Sequence, residues 1–357
     1  MSKPRRQEQE SAQREITEVA PNVLRMQLPI RMPGLGHVNM YALLDERGCA
    51  VVDPGVPGPD NWRALKDRLK QAGLEPRHIH TVVVTHSHPD HFGGATRIAR
   101  ESNAQIVAHD AFRFGVLESE EEDTDVSVED LAAHGENDEA HRQLVQGWSH
   151  GTTPWGGRRP RPPWLMRIKW RLFHAVGRSF IPQISKPVKA GDVLRLAKRE
   201  FFVTHTPGHT EDHICLHDPE TGTFLSGDHV LPSITPHISG LTLSQDPLDR
   251  FFDSLDQVAA IADVKLALPA HGHPFDDLAG RCLAIKQHHF ERLEAVKQIG
   301  RDLGPSTVNA YMKRLFKERS WGEMAESETF AHLEHLWHRK EAARRRDSDG
   351  FLIYETG

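Results

Sequence analysis

Three histidines and an aspartate lie within six residues, in the run His86-Ser87-His88-Pro89-Asp90-His91. Imidazole nitrogens and a carboxylate form a donor set that suits zinc, and iron or manganese can also accept it. Because residues two apart in an extended loop project to the same side, His86 and His88 can bind one ion. Asp90 and His91 lie beyond the bend at Pro89 and can bind a second ion. The alternative is a chance cluster, which we expect in only roughly 0.7 % of sequences this rich in histidine.

The elements around this run predict where it lies. The apolar, β-branched residues Thr81 to Thr85 are typical of a buried strand, and Phe92-Gly93-Gly94 leads into a helix-like stretch. The run is therefore expected on a strand-to-helix loop. Three further candidate ligands also follow strand-like runs, namely His209, Asp228 and His271. Each alone fits an ordinary turn or surface residue. The order in which the three occur makes them a set of candidate metal ligands.

The ordered series HSHPDH, TPGHT, SGDH and PAHG lies between about residues 22 and 290 and resembles the metallo-β-lactamase superfamily. The resemblance implies an α/β (α+β) fold, the αββα sandwich, in which two sheets pack face to face with helices outside. It implies that one metal is bound by His86, His88 and His209, and that a second is bound by Asp90, His91 and His271. Asp228 would bridge the two metals.

The aspartate at the bridging position resembles the two-metal hydrolases of the hydroxyacylglutathione-hydrolase type. The antibiotic-destroying lactamases usually carry a cysteine there, and Cys215 falls in the middle of a strand-like run, where it is a poor substitute. We therefore expect β-lactam hydrolysis to be a side activity at most.

Two further residues, Asp53 and His213, are candidates for supporting or substrate-contacting roles. Asp53 lies in VVDPG and matches the early Asp-x-Gly element of the superfamily. We expect it to accept hydrogen bonds that hold the metal loop and the ligand tautomers; the alternative is a plain turn former before Pro54. His213 lies in HTEDH, which resembles the endoribonuclease-like members. It could orient substrate or a ligand, or be a partly buried structural histidine.

The chain of 357 residues is longer than one ordinary core requires, so a main domain with an appendage is expected. We predict a disordered N-terminal arm over 1–18, the metallo-β-lactamase-fold domain over 19–300, and an appendage over 301–357. The appendage resembles the winged-helix tail of the endoribonuclease-like subgroup, with helices at about 306–317 and 326–344 and a strand at 351–354. A packing or dimerisation role is favoured over nucleic-acid binding. Four histidines outside the ligand set are expected at the surface, namely His229, His237, His288 and His289. Contact with substrate is the alternative for His229 and His237, because a loop after Asp228 must border the site.

A long insertion, 112–189, separates the two halves of the main domain. It contains an acidic run at 118–125 and a basic stretch, 164–180, with an apolar helical stripe. A helix packed on the sandwich is the simpler interpretation. A lid over the metal site is the alternative, and it would supply an apolar, cationic wall.

Composition narrows the class of protein. The net charge of −6 argues against nonspecific binding to polyanions. The three cysteines have no framework spacing, and no apolar run is long enough to span a bilayer. We therefore predict a cytoplasmic protein with no integral membrane segment that acts on a small molecule, with a homodimer as one option for its assembly. Nucleic acid is a less favoured partner.

The resemblance implies a zinc-dependent hydrolase with two Zn²⁺ per chain, with iron or manganese as alternatives. A metal-bound hydroxide, formed as the pKa of water falls from about 15.7 to about 7, would attack a small ester, thioester or lactone. Asp90 and Asp228 would be catalytic by passing the proton to the leaving group. A phosphodiesterase or endoribonuclease is one alternative. A nonhydrolytic diiron or metal-binding protein is another.

Overall fold

The computed structural model describes residues 6–32, 34–114, 153–157 and 180–357. These residues form two compact units. The first is built from 6–114, 180–236 and 254–285, and the second from 153–157, 237–253 and 286–357. Most of the predicted insertion, including the helical stripe proposed as a lid, lies outside the described residues.

The first unit contains a seven-stranded sheet in which the strands follow chain order. Strands β1 to β4 pair antiparallel, whereas β4 to β7 pair parallel. Parallel neighbours need crossover connections, and those from β4 to β5 and from β5 to β6 contain helices α1 (Pro59–Gln71), α2 (Pro89–Phe92) and α3 (Ala95–Ser102). The strands are β1 (Ile16–Ala20), β2 (Val23–Met32), β3 (Leu35–Asp45), β4 (Gly48–Val52), β5 (Ile79–Val83), β6 (Gln105–His109) and β7 (Lys186–Val188).

A five-stranded sheet completes the first unit, in the order β12-β11-β10-β9-β8. Its pairs are antiparallel except for β11 with β12. The strands are β8 (Val193–Leu196), β9 (Arg199–His205), β10 (Ile214–Asp218), β11 (Thr223–Gly227) and β12 (Leu266–Pro269). Helix α4 (Pro247–Ala259) precedes β12, and helix α5 (Leu278–Leu303) follows it.

The two sheets pack face to face, because alternate side chains of each strand point to a shared core. Tyr41 and Val83 from the first sheet meet Phe201 and Leu225 from the second. The opposite face of the first sheet packs on α1 and α3 through buried residues that include Trp62, Leu65, Leu69 and Ile98.

The N-terminal residues differ from the predicted disordered arm. Gln7–Gln9 form a turn of 3-10 helix and Ile16 starts β1. Glu8 is fully buried and accepts the backbone N–H of Ser233 at 2.8 Å. Hydrogen bonds, rather than burial of apolar side chains, hold this stretch in place. Its sequence is therefore polar and shows no apolar periodicity.

The second unit contains the end of α5 and the C-terminal elements. These are β13 (Ser306–Thr307), α6 (Val308–Leu315), α7 (Glu323–His338), β14 (Ala342–Arg346) and β15 (Leu352–Thr356), with strand order β13-β15-β14. The unit thus starts inside a continuous helix, before the predicted boundary at 300, and it also takes in 237–253. The likeness to a winged helix remains a prediction.

The predicted helix over 326–344 ends earlier than expected. Lys340 adopts the left-handed φ of 62°, which turns the chain into β14. Arg344 therefore lies on a strand, where its guanidinium stacks 3.4 Å from the centre of the Trp337 ring and donates to Glu334 at 2.5 Å. The first arginine of the Arg344-Arg345-Arg346 triplet thus makes these contacts within the second unit.

A buried histidine pair in the second unit corrects the prediction that His289 lies at the surface. His289 and His332 are both fully buried. His332 Nδ1 donates to the carbonyl oxygen of Glu328 at 2.7 Å, so its Nε2 accepts from His289 Nδ1 at 3.1 Å. Burial, and then the neighbouring ring of His332, hold the pKa of His289 well below its ordinary value. Burial, and then Arg292, do the same to the pKa of His332.

The protein should lose stability as the pH falls through about 6.5, the ordinary pKa of histidine. The unfolded chain then binds protons that the folded, neutral pair cannot take up, so the free energy of unfolding decreases. In His332→Gln, the amide oxygen can still accept from His289 but does not titrate. Between pH 7.5 and 5.5 this variant should lose about 1.4 kcal/mol less stability than the wild type. Urea denaturation at both pH values measures the difference, and equal losses would contradict the prediction.

Candidate metal centre

The predicted ligands all lie in the first unit, on loops or a short helix that follow strand ends. His86 and His88 follow β5, His209 follows β9, and Asp228 directly follows β11. Because β11 and β12 are parallel and pair up to Gly227 and Pro269, the chain leaves both strands at the same edge of the sheet. The loop after β12 carries the last predicted ligand, His271.

The short helix α2 places two donors on one turn. His88 is its N-cap residue and Pro89 its first residue, where proline is well tolerated because it lacks an N–H. Asp90 and His91 lie in this first turn and are both buried. The bend expected at Pro89 is thus the start of a helix, and it separates the donors before it from those after it.

The first group of donors consists of His86, His88, His209 and Asp228. His88 Nδ1 lies 3.0 Å from His86 Nε2 and 3.1 Å from His209 Nε2. Asp228 Oδ2 lies 3.6 Å from His209 Nε2 and 4.0 Å from His86 Nε2. Tetrahedral ligands of zinc with bonds of 2.0–2.1 Å are about 3.3 Å apart. The spacing of these atoms therefore fits one bound cation.

The tautomer of His86 follows from its neighbours. The Thr85 hydroxyl donates to Asp53 Oδ2 at 2.7 Å, so its oxygen accepts from His86 Nδ1, 3.0 Å away. His86 Nε2 consequently carries a lone pair directed at the nitrogen of His88. Burial, and then His209, lower the pKa of His88 to about 3. These rings are neutral, which is the form that binds metals.

The second group consists of Asp90, His91 and His271. Asp90 Oδ2 lies 3.5 Å from His91 Nε2 and 3.5 Å from His271 Nε2. The two Nε2 atoms are buried and have no hydrogen-bond partner among the residues that the structure describes. Buried polar atoms are normally satisfied, so these nitrogens are available to a ligand.

Asp228 lies against both groups. Its Oδ1 is 3.3 Å from His271 Nε2, and its Oδ2 is 3.5 Å from His91 Nε2. The same Oδ2 approaches the histidines of the first group, as given above. The structure thus brings together all seven predicted ligands, with Asp228 between the two sets.

The carboxylates shape the charge of the second group. Burial lowers the pKa of His91, but Asp90, Asp228 and Asp53 raise it by more, so it lies well above its ordinary value. In the same way burial lowers the pKa of His271, and Asp228 outweighs this and raises it to about 10. The carboxylates therefore favour positive charge here, as a divalent cation would supply.

Asp53 forms hydrogen bonds with Thr85 and with His91 of the HSHPDH run. It adopts the left-handed φ of 55° directly after β4, and its Oδ1 accepts the N–H of Thr85 at 2.9 Å. Its Oδ2 lies 2.8 Å from His91 Nδ1, which places the proton on Nδ1 and leaves Nε2 for a metal. Asp53 therefore contacts the residue before His86 and the ring of His91.

His213 contacts the backbone at the Asp228 position. Its Nδ1 lies 2.8 Å from the Thr206 hydroxyl, and its Nε2 accepts the N–H of Asp228 at 3.0 Å. Gly227 precedes Asp228 with φ +52°, and a Cβ there would lie 2.6 Å from His213 Nε2. The close approach of this ring thus requires glycine in the SGDH motif.

Asp212 lies near the ligands and is not among the residues predicted from the sequence, and His229 differs from its predicted position. Asp212 is buried and accepts the Ser87 hydroxyl at 3.0 Å, which joins the HTEDH loop to the HSHPDH loop. Burial raises the pKa of Asp212 to about 6. The sequence signal for Asp212 is its place in HTEDH, directly before His213. His229 is fully buried, which corrects its predicted surface position.

A third cluster, in the second unit, has an ordinary explanation. Asp246, Asp249 and His335 bring ligand-type atoms together. Asp246 accepts the N–H of Asp249 at 3.0 Å, at the start of α4, and also lies 2.9 Å from His335 Nδ1. This is the hydrogen bonding of a helix N-cap.

Known proteins share this fold. A family model described as the metallo-beta-lactamase superfamily matches residues 33–271. A metallo-beta-lactamase family protein from Thermus thermophilus has a TM-score of 0.69 and 26% identity, with 95% of this chain and 100% of that chain covered. A beta-lactamase domain protein from Burkholderia ambifaria has a TM-score of 0.72 and 24% identity, over 97% and 96% of the two chains.

Two curated relatives are named as thioesterases. Acyl-coenzyme A thioesterase MBLAC2 of Gallus gallus is 29% identical over 203 residues, which are 54% of this chain and 57% of that protein. An atrochrysone carboxyl ACP thioesterase of Cryptosporiopsis sp. is 26% identical over 141 residues, which are 38% of this chain and 41% of that protein. The chain therefore spans about half the length of these relatives.

The predicted fold class is confirmed by these matches. None of the helices in the described part of the chain combines the length and apolar composition that a bilayer span requires. The fold and its two His/Asp clusters imply binding of a divalent metal. The family match covers about two thirds of the sequence, and the chain belongs to the metallo-β-lactamase superfamily.

Proposed function

We propose that this protein is a binuclear metal-dependent hydrolase that cleaves small acyl thioesters or related esters. The observation that carries the proposal is the position of Asp228, whose two carboxylate oxygens lie within 3.3–4.0 Å of histidine nitrogens from both donor groups. A carboxylate so placed suits a bridge between two cations.

Zinc is the metal we propose for both positions. His86, His88 and His209 would hold the first ion and Asp90, His91 and His271 the second, with Asp228 shared. When bound, such a pair supplies an activated water and a Lewis acid for a polarised carbonyl. The protein contributes the tautomers that aim Nε2 of His86, His91 and His271 inward. It also contributes the carboxylates of Asp90 and Asp228 as acceptors for the proton that passes to the leaving group.

The choice of a thioester or ester rests on the relatives named above. The proposed mechanism needs no serine or cysteine nucleophile, and the thiols of Cys49, Cys215 and Cys282 are all buried. Burial raises the pKa of Cys49 to about 12, which keeps this thiol protonated. A cytoplasmic location, where free thiols persist, is part of the same proposal.

Turnover should be highest on acyl thioesters and should depend on metal. We expect the purified chain to hydrolyse an acyl-coenzyme A at least about tenfold faster, by kcat/KM, than a chromogenic phosphodiester or a cephalosporin, a difference of about 1.4 kcal/mol in transition-state stabilisation. Chelation should abolish the activity and Zn²⁺ should restore it. Faster cleavage of the phosphodiester would favour the nuclease alternative. Activity that survives complete metal removal would contradict the proposal.

Asp53→Asn should weaken metal binding about 10- to 100-fold, the usual effect of removing a partner of a metal-bound histidine. Asparagine offers one acceptor oxygen where Asp53 offers two. Its NH₂ group, a donor, therefore faces another donor, either the Nδ1–H of His91 or a donor of Thr85. Asparagine tolerates the left-handed backbone of this position. Competition with a chromogenic chelator measures the affinity.

Asp263→Asn is a matched control, because Asp263 is exposed and has the similar φ of 61°. Its metal affinity should equal that of the wild type. If Asp53→Asn also binds metal as tightly as the wild type, the role proposed for Asp53 is wrong.

A further inference from the structure

A segment near the start of the chain contacts the loop that follows Asp228. Glu8 is fully buried, and its Oε1 accepts the N–H of Ser233 at 2.8 Å and of Ile234 at 3.1 Å. Its Oε2 accepts the hydroxyl of Ser233. One carboxylate thus binds three donors of loop 231–234, which begins three residues after Asp228.

Arg281 binds backbone carbonyl groups of the same loop. Its Nε donates to the carbonyl oxygen of Leu231 at 2.6 Å, and its Nη2 donates to that of Ile234 at 2.7 Å. Glu8 and Arg281 therefore satisfy donors and acceptors of one short loop with opposite charges. Hydrogen bonds to charged groups are stronger than neutral ones, so the loop is held in one conformation.

The same N-terminal segment contacts the loop that carries His271. Gln7 Oε1 accepts the N–H of His273 at 3.1 Å, and Glu10 Oε2 lies 3.0 Å from His273 Nε2. The segment therefore joins two loops, 231–234 and 271–273, that lie about 40 residues apart in the sequence.

His37 links this segment to the ligand itself. Its Nδ1 donates to the carbonyl oxygen of Glu10 at 2.8 Å, so its Nε2 accepts the N–H of Gly272 at 3.1 Å. The carbonyl oxygen of His37 accepts from His271 Nδ1 at 2.6 Å. This last bond places the proton of His271 on Nδ1 and leaves Nε2 for a metal.

We propose that Gln7, Glu8 and Glu10, acting with His37, form an N-terminal strap that positions His271 and the loop after Asp228 for metal binding. The proposal rests on the metal centre proposed above and adds positioning residues to it. None of these four side chains is among the metal donors. Their effect is transmitted through hydrogen bonds to the loops that carry them, as is usual for residues behind a metal ligand.

A strap that merely stabilised the fold would leave metal affinity unchanged, and a matched variant separates the two roles. Asp218 is also fully buried, and like Glu8 it accepts two backbone N–H groups and a hydroxyl. Asp218 additionally accepts from Arg199. It lies at the far end of β10 from His213, about 16 Å away at 3.3 Å per residue. Asp218→Ala therefore removes a similar set of hydrogen bonds at a turn that carries no metal donor.

The experiment compares full-length wild type, Glu8→Ala, Glu8→Gln and Asp218→Ala. After chelator treatment, each is titrated with Zn²⁺ against a chromogenic chelator and with Co²⁺ by visible absorption, and the Tm of the metal-free form is recorded. Glutamine can still accept the two N–H groups with its oxygen and donate to Ser233 with its amide.

We expect Glu8→Ala to weaken binding of the more weakly held cation about 10- to 100-fold and to alter the Co²⁺ spectrum. Glu8→Gln should restore the affinity to within about threefold of the wild type, since only a charge is lost. Asp218→Ala should lower the Tm and leave the affinity unchanged. Wild-type affinity in Glu8→Ala, or an equal loss in Asp218→Ala, would overturn the strap alone. A wild type that binds no cation would instead overturn the metal centre, and the strap with it.

Discussion

The arrangement of the first unit depends on holding five imidazole rings and two carboxylates close together inside the protein. His88 Nδ1 lies 3.0 Å from His86 Nε2, whose lone pair is directed at it. Asp90 and Asp228 add negative charge within 3.5 Å of His91. Such a cluster is costly to bury unless its charges and lone pairs are compensated. The pair of divalent cations proposed above would provide this compensation.

The fold meets this requirement in two ways. Strand ends bring the ligands together, and hydrogen bonds on the far side of the histidine rings fix their orientation. Parallel pairing of β11 with β12 carries the chain to Asp228 and His271 at one edge. Behind the ligands, Asp53, Thr85 and the carbonyl oxygen of His37 accept the Nδ1 protons of three histidines. Each bond sets a tautomer, so the backbone conformation of loops remote in sequence determines which nitrogen faces the metal.

Local features of the centre were predictable from the sequence, and its long-range supports were not. The HSHPDH run identifies its donors because residue type and spacing are local properties. Asp53 was selected by motif, but the partners behind His271 were not, because 234 residues separate it from His37. Residues 6–18 lacked apolar periodicity and were predicted to be disordered, whereas Glu8 is held by polar bonds to a loop 225 residues away. Long-range polar contacts of this kind leave no periodic signal in one sequence.

Anomalous diffraction from crystals grown with Zn²⁺ tests the central claim most directly. Data collected on both sides of the zinc edge locate each ion and its ligands without reference to activity. We predict two peaks, roughly 3.5–4 Å apart as in other two-metal sites. One should be bound by His86, His88 and His209, the other by Asp90, His91 and His271, with Asp228 between them. A single peak, or two ions without Asp228 as a shared ligand, would contradict the binuclear account.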